Sequence, residues 1–161
     1  MVPAAAAAAL GLVMLELMEA ADHYRRLERM YASAPVTQWY GATIRVDDGT
    51  AEVEIAIRRD FHHAAHAVHG SVYFRALDDA AFFAANSRVG EVFVLTVSFT
   101  VHLMRPIAEG VMRARGRVVH GGGRLFTAES HLYDQDGALL GQGSGVFTRS
   151  SIGLDASVGY E

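Results

Sequence analysis

The chain has no cysteine and no lysine among its 161 residues. Without cysteine there is no disulfide scaffold, no thiolate nucleophile and no cysteine zinc site. The same absence fits a reducing compartment, and a cytoplasmic location is expected. Without lysine there is no Schiff-base chemistry. All 14 basic residues are arginine; arginine grips phosphate in a bidentate way, although a coding bias towards it would look the same. Excess positive charge is missing too: the net charge is −4. No global field recruits nucleic acid or an anionic membrane, and neither is expected as a partner. A long uninterrupted apolar run is also lacking. Met1 to Ala20 comes nearest, but it has no basic start, and Glu16 and Glu19 break it. It fits neither a secretory signal nor a membrane span. Residues 1–14 read as a disordered or frayed helical extension, with Met14 or Met18 as a reasonable alternative start.

What is present is the composition of one globular domain, 51% apolar and 20% charged. Residues 15–149 are expected to form it, and 150–161, small and polar, a flexible tail. No internal repeat or interdomain linker is visible. From about Leu10 to Ala32 apolar positions fall at helical spacing, with Leu17, Ala20, Ala21, Tyr24, Leu27 and Met30 on one stripe. Ser33-Ala34-Pro35 ends that helix. The period then changes to two: Trp39–Val46 and Ala51–Ile57 read as strands joined by Asp47-Asp48-Gly49. Arg58–Val68 is a His-rich loop. Gly70–Asn86, apolar on nearly every side, reads as a buried helix. Four further strands follow over Val92–Met104, Val111–His120, Leu125–Tyr133 and Ala138–Thr148, separated by Arg105-Pro106, Gly121-Gly122-Gly123 and Asp134-Gln135-Asp136-Gly137. The order predicts an α+β domain, an antiparallel sheet of about six strands wrapped around one central helix and preceded by an N-terminal helix. A helix apolar all round needs cover on all sides, and a second subunit would supply it.

The chemistry concentrates on that helix. Gly70 stands at its start, where a backbone N–H is unpaired and carries partial positive charge, a site for an acyl oxyanion. Asp78 and Asp79 follow within an apolar run, and burying a carboxylate costs several kcal/mol unless it is paired. Neighbours on a helix diverge by about 100°, so one of the two faces the core. Asp79 lies one turn after Arg75, a spacing that predicts an ion pair at the helix edge. Asp78 lies on the row of Phe74 and Phe82, where desolvation would lift it towards the range of a general base. Eight helical residues hold Gly70 and Asp78 about 12 Å apart. If both act, each site takes Gly70 from one chain and Asp78 from another, and the protein is at least a dimer.

The run His69-Gly70-Ser71-Val72-Tyr73-Phe74-Arg75-Ala76-Leu77-Asp78-Asp79 through Ser87 resembles the His-Gly-Gly…Asp helix of PaaI-type hotdog-fold thioesterases, the phenylacetyl-CoA thioesterase group. The likeness extends from roughly Trp39 to Arg149 and includes Thr96–Val101 and Met104-Arg105-Pro106. It implies a hotdog fold and a hydrolase that cleaves an acyl- or aryl-acyl-CoA thioester without a cofactor, CoA being part of the substrate. It also implies a homodimer or a homotetramer of dimers. By the resemblance Gly70 supplies the oxyanion N–H, Asp78 of the facing subunit activates water or attacks directly, and Thr96 helps to place the water. His69, Ser71, Asp79, Phe82, Arg105 and Arg124 are then expected to line the substrate. The chain departs from the family at Ser71, where a second glycine is usual, and at His63, where an asparagine is common. A histidine can donate the same hydrogen bond to the thioester carbonyl.

Other readings stay open at this stage. His62, His63, His66 and His69 could hold zinc with one position free, although their spacing matches no defined metal signature. His69 alone reads as a loop-holding residue. Arg113, Arg115 and Arg117 alternate on one strand face, as a solvated sheet surface or as a grip for the CoA phosphates. His102 and His131 read as ordinary strand residues. A hotdog dehydratase would need a His-Phe-Pro type loop, which is not found. A non-catalytic acyl-CoA binding module would share the pocket without needing an ionised Asp78.

Overall fold

Alternation along the strands is resolved by a single helix. The computed structural model describes residues 4–161, so Met1–Pro3 of the expected extension lie outside the described residues. In chain order the elements are α1 (Ala4–Ser33), α2 (Pro35–Tyr40), β1 (Thr43–Asp47), β2 (Thr50–Ala56), α3 (Gly70–Asn86), β3 (Val92–Leu103), β4 (Val111–Gly122), β5 (Leu125–Tyr133) and β6 (Leu139–Gly153). Short 3₁₀ turns cover Arg59–Phe61 and Ala156–Val158. The strands form one antiparallel sheet in the order β1-β2-β4-β5-β6-β3. Val53, Ile55, Met112, Ala114, Ala128, Leu132 and Phe147 bury against α3. This is the hotdog fold, with α3 as its filling.

Helix and sheet approach so closely at one point that only glycine fits. A Cβ on Gly116 of β4 would stand 2.1 Å from the Ala80 carbonyl oxygen of α3. The two edges of the sheet are treated differently. On β1, the Val46 N–H donates to Glu28 Oε1 and the Val46 carbonyl accepts from Arg25, so α1 caps that edge. β3, at the other edge, pairs with no strand but β6; Asn86 of α3 caps its start, accepting from the Val94 N–H and donating to the Val92 carbonyl, and farther along it exposes Leu95, Val97 and Leu103.

Three expectations need correction. Trp39 belongs to α2, not to a strand: Pro35 at the first turn favours a new helix, and Gly41 at φ +65° closes it. β6 runs through Gly153, and the segment beyond it is folded back, with Tyr160 Oη 2.7 Å from His23 Nδ1. The cover of α3 comes partly from within the chain. α1 packs across its second half, where the rings of Tyr31 and Phe83 meet edge to face at 5.1 Å. Phe74 and Asp78, near its first half, remain open to solvent in part.

Candidate active site

α3 carries two clefts, one at its N-terminus and one about two turns later. His69 caps the helix, its Nδ1 accepting from the Ser71 N–H at 3.1 Å. That leaves the Gly70 amide, first in the helix, without an acceptor among the described residues. Around it lies a cleft of about 430 Å³ lined by His63, His69, Gly70, Tyr73, Leu103 and Arg105 with their neighbours. A Cβ on Gly70 would sit 3.0 Å from Leu103 Cδ1, so the end of β3 passes close by. The Ala65 N–H donates to His63 Nδ1 at 3.1 Å, which fixes Nε2 as the protonated nitrogen of the neutral ring. His63 therefore carries a free donor beside Gly70.

The second cleft, about 350 Å³, holds Asp78, Asp79, Thr96 and Phe82, together with Tyr31, Thr37, Arg75, Phe83, Phe93, Leu95 and Val158. A shift of register between Thr96 and Ser98 marks a bulge in β3, and such bulges re-aim side chains. Thr96 Oγ1 donates to Asp78 Oδ1 at 3.2 Å. Burial lifts the Asp78 carboxyl above its ordinary value, while the Thr96 hydrogen bond and the Arg75 charge oppose the rise. Asp78 thus faces an apolar cleft with one oxygen held and the other unengaged, the arrangement of a general base or nucleophile.

Asp79 departs from its expected place. The ion pair with Arg75 is present, Nε lying 2.7 Å from Oδ2, without the alignment of a hydrogen bond. Yet Asp79 is not at a helix edge: it is 7% exposed and more buried than Asp78. The reason is α1, whose Tyr31 hydroxyl donates to the same Oδ2 at 2.8 Å. Burial pushes the Asp79 carboxyl up to about 7, against the pull of Arg75 and Tyr31. Tyr31 and Thr37 escaped the sequence reading. Tyr31 extends the apolar stripe of α1, but nothing local shows that it meets a carboxylate 48 residues on.

The remaining candidates divide. His63, His69 and Arg105 share the Gly70 cleft, with Ser71 at the helix start beside it. Arg124 lines neither cleft; it sits in the β4–β5 turn, where its carbonyl accepts from the Arg149 N–H. Arg113, Arg115 and Arg117 pair with Glu54, Glu52 and Glu129 at 2.5, 2.7 and 2.6 Å. Their charges are met across the strands, as on a solvated sheet face. The histidines do not converge on a metal: among the described residues no group of three or more His, Asp or Glu side chains is placed to hold one. His62 Nε2 instead meets the Ala108 carbonyl at 2.9 Å. Among the described residues no helix is long and apolar enough to cross a membrane.

Residues 65–140, which include α3 and Thr96, match the Thioesterase superfamily model. The chain is 25% identical over 96 residues to an esterase candidate of Saccharolobus solfataricus, covering 60% of this chain and 69% of that protein. The PaaI protein of the E. coli phenylacetic acid degradation operon superposes with a TM-score of 0.76 at 20% identity, over 83% of this chain and 97% of the other. A mutant of the phenylacetic acid degradation protein PaaI from Thermus thermophilus gives 0.66 at 24% identity, over 73% and 100%. With its six-stranded sheet wrapped on α3, this chain has the hotdog fold of these PaaI proteins, and just under half of it matches the Thioesterase superfamily model.

Proposed function

We propose that the protein is an acyl-CoA thioesterase, hydrolysing an acyl- or aryl-acyl-CoA thioester to the free acid and CoA. The observation that carries this reading is Asp78, a half-buried carboxylate held by Thr96 in the wall of an apolar cleft. Asp78 acts as general base towards water, or as the nucleophile itself. The Gly70 N–H of the facing subunit, aided by His63 Nε2–H, stabilises the oxyanion that forms as the carbonyl is attacked. Two supports favour a site made by two chains. Gly70 and Asp78 stand about 12 Å apart on one helix, and β3 beyond its Asn86 cap offers an apolar edge to a second copy. A homodimer or a tetramer of dimers follows. The aromatic wall of Phe82, Phe83 and Phe93 suits an acyl or arylacyl group. The reaction draws on no cofactor, and a cytoplasmic location belongs to the same reading.

Asp79 is the competing base, but both its partners crowd one oxygen and it is nearly sealed from solvent. The test is a panel of CoA thioesters assayed with wild type, Asp78→Asn and Asp79→Asn. Loss of about 10²–10⁴-fold in kcat for Asp78→Asn, with substrate still bound, is expected. Full activity in that variant would overturn the mechanism. A wild type that binds the panel and cleaves none of it would make the protein a non-catalytic acyl-CoA binding module.

A further inference from the structure

Arg75 stands next to two carboxylates that do different jobs. Its Nε lies 2.7 Å from Asp79 Oδ2, and Nη2 donates to Thr37 Oγ1 at 3.1 Å, which holds the guanidinium against α2. Its charge also reaches Asp78, three residues on along the same helix. Tyr31, from α1, donates to Asp79 from the other side. The groups facing Asp79 are therefore Tyr31 on α1, neutral Thr37 on α2, and Arg75 and Asp78 on α3. Tyr31 and Arg75 both meet Asp79, the residue beside Asp78, and Thr37 braces Arg75.

We propose that Asp79 is a positioning residue that governs how much of the Arg75 charge is left to Asp78, and that Tyr31 of α1 sets when it does so. While Asp79 is protonated, Arg75 has only Asp78 to balance it, and the Asp78 carboxylate is held as a weak base. When Asp79 loses its proton, Arg75 becomes its counter-ion, Asp78 loses the stabilisation, and its carboxylate grows more basic. Adjacent carboxylates ionise in two steps that belong to the pair, and the environment decides which goes first. Here Asp78 has solvent and the Thr96 hydroxyl, so it ionises first. Asp79, sealed beneath α1, follows near neutrality. The inference rests on Asp78 as the working base, but its signature is a titration, visible without turnover.

The experiment is a carbon-13 carboxyl NMR titration between pH 4 and 9 on the full chain, with the Asp78 signal identified by its loss in Asp78→Asn. In the wild type the Asp78 signal should move in two steps, the second at the midpoint of Asp79. In Asp79→Asn the second step should disappear. Tyr31→Phe keeps the ring against Phe83 and removes only the donor, so the second step should shift to higher pH by about one unit. If any of these variants fails to fold, the wild-type curve and the remaining variant still decide. A single-step wild-type curve, or a second step that survives in Asp79→Asn, overturns the inference. In parallel, kcat/KM on a cleaved CoA thioester should rise again through that second step, and in Asp79→Asn it should level off after the first. A purely structural Asp79 would lower kcat/KM equally at every pH. Two NMR steps in a protein that cleaves no thioester would keep the coupling and remove the thioesterase reading. An active enzyme with one step would do the reverse.

Discussion

The Thr96 hydroxyl on β3 reaches across to Asp78 on α3 and donates to its Oδ1 at 3.2 Å. The bond joins an edge strand to the central helix, and it forms where a register shift in β3 has turned the strand. Because it favours the charged carboxylate, it counters the burial that pushes Asp78 upward.

Thr96→Val, which keeps the shape and removes the donor, should therefore raise the Asp78 midpoint further. The acid limb of the kcat/KM profile should move to higher pH, and activity well below its midpoint should fall by about tenfold, the worth of one hydrogen bond to a charged group. An unmoved limb would show that Thr96 does not touch the working form of Asp78.

Gly70 invites a cleaner substitution than alanine. Proline is tolerated at the first position of a helix, and His69 before it is already extended, as proline requires. Gly70→Pro removes only the N–H, apart from the contact a ring makes with Leu103. A loss of about 10²–10³ in kcat is expected. Co-expressed with Asp78→Asn, it should recover about a quarter of wild-type activity, because half the dimers are mixed and each has one intact site. Two inactive variants that stay inactive together would place Gly70 and Asp78 of one chain in one site.

The fold is legible in the sequence because its period switches from helical to alternating at clear turn signals, and because the bounds of α3 follow from its apolar run. The pair Gly70 and Asp78 is legible for the same reason, since both lie on that one helix. What cannot be read depends on contacts far apart in sequence. Asp79 reads as a helix edge when α3 is considered without α1, and only Tyr31 packing from 48 residues away turns that edge inward. Arg113, Arg115 and Arg117 alternate as a phosphate grip would, but the register places Glu54 and Glu52 opposite the first two. Trp39 reads as a strand residue when Pro35 is seen only as the end of one helix, whereas Pro35 also begins the next.

Asp79 should also shape stability. Its folded carboxyl sits near 7 against an ordinary 3.8, so between those values the folded state holds more protons than the unfolded one. Stability from this group is then greatest below about pH 4 and declines as pH rises to about 7. Asp79→Asn lacks the charged partner of Arg75 and cannot titrate. The difference in Tm, variant minus wild type, should become more positive from pH 5 to pH 8. A difference that stays constant would mean that Asp79 is ionised throughout.

Gly116 tests whether the site depends on how closely the sheet holds the helix. An alanine there places its Cβ 2.1 Å from a backbone oxygen, which no rotamer change relieves, so α3 must move away from β4. Overpacking of this kind costs about 3 kcal/mol, which in a chain of this size lowers Tm by about 6–12 °C. The displaced carbonyl belongs to Ala80, two residues from Asp78, so the movement passes directly to the carboxylate and away from Thr96. Gly116→Ala should therefore lose activity even at temperatures where it is fully folded, with kcat falling more than KM rises. Unchanged kcat in a folded but destabilised variant would mean that Asp78 is held by the cleft rather than by the seating of α3 on the sheet.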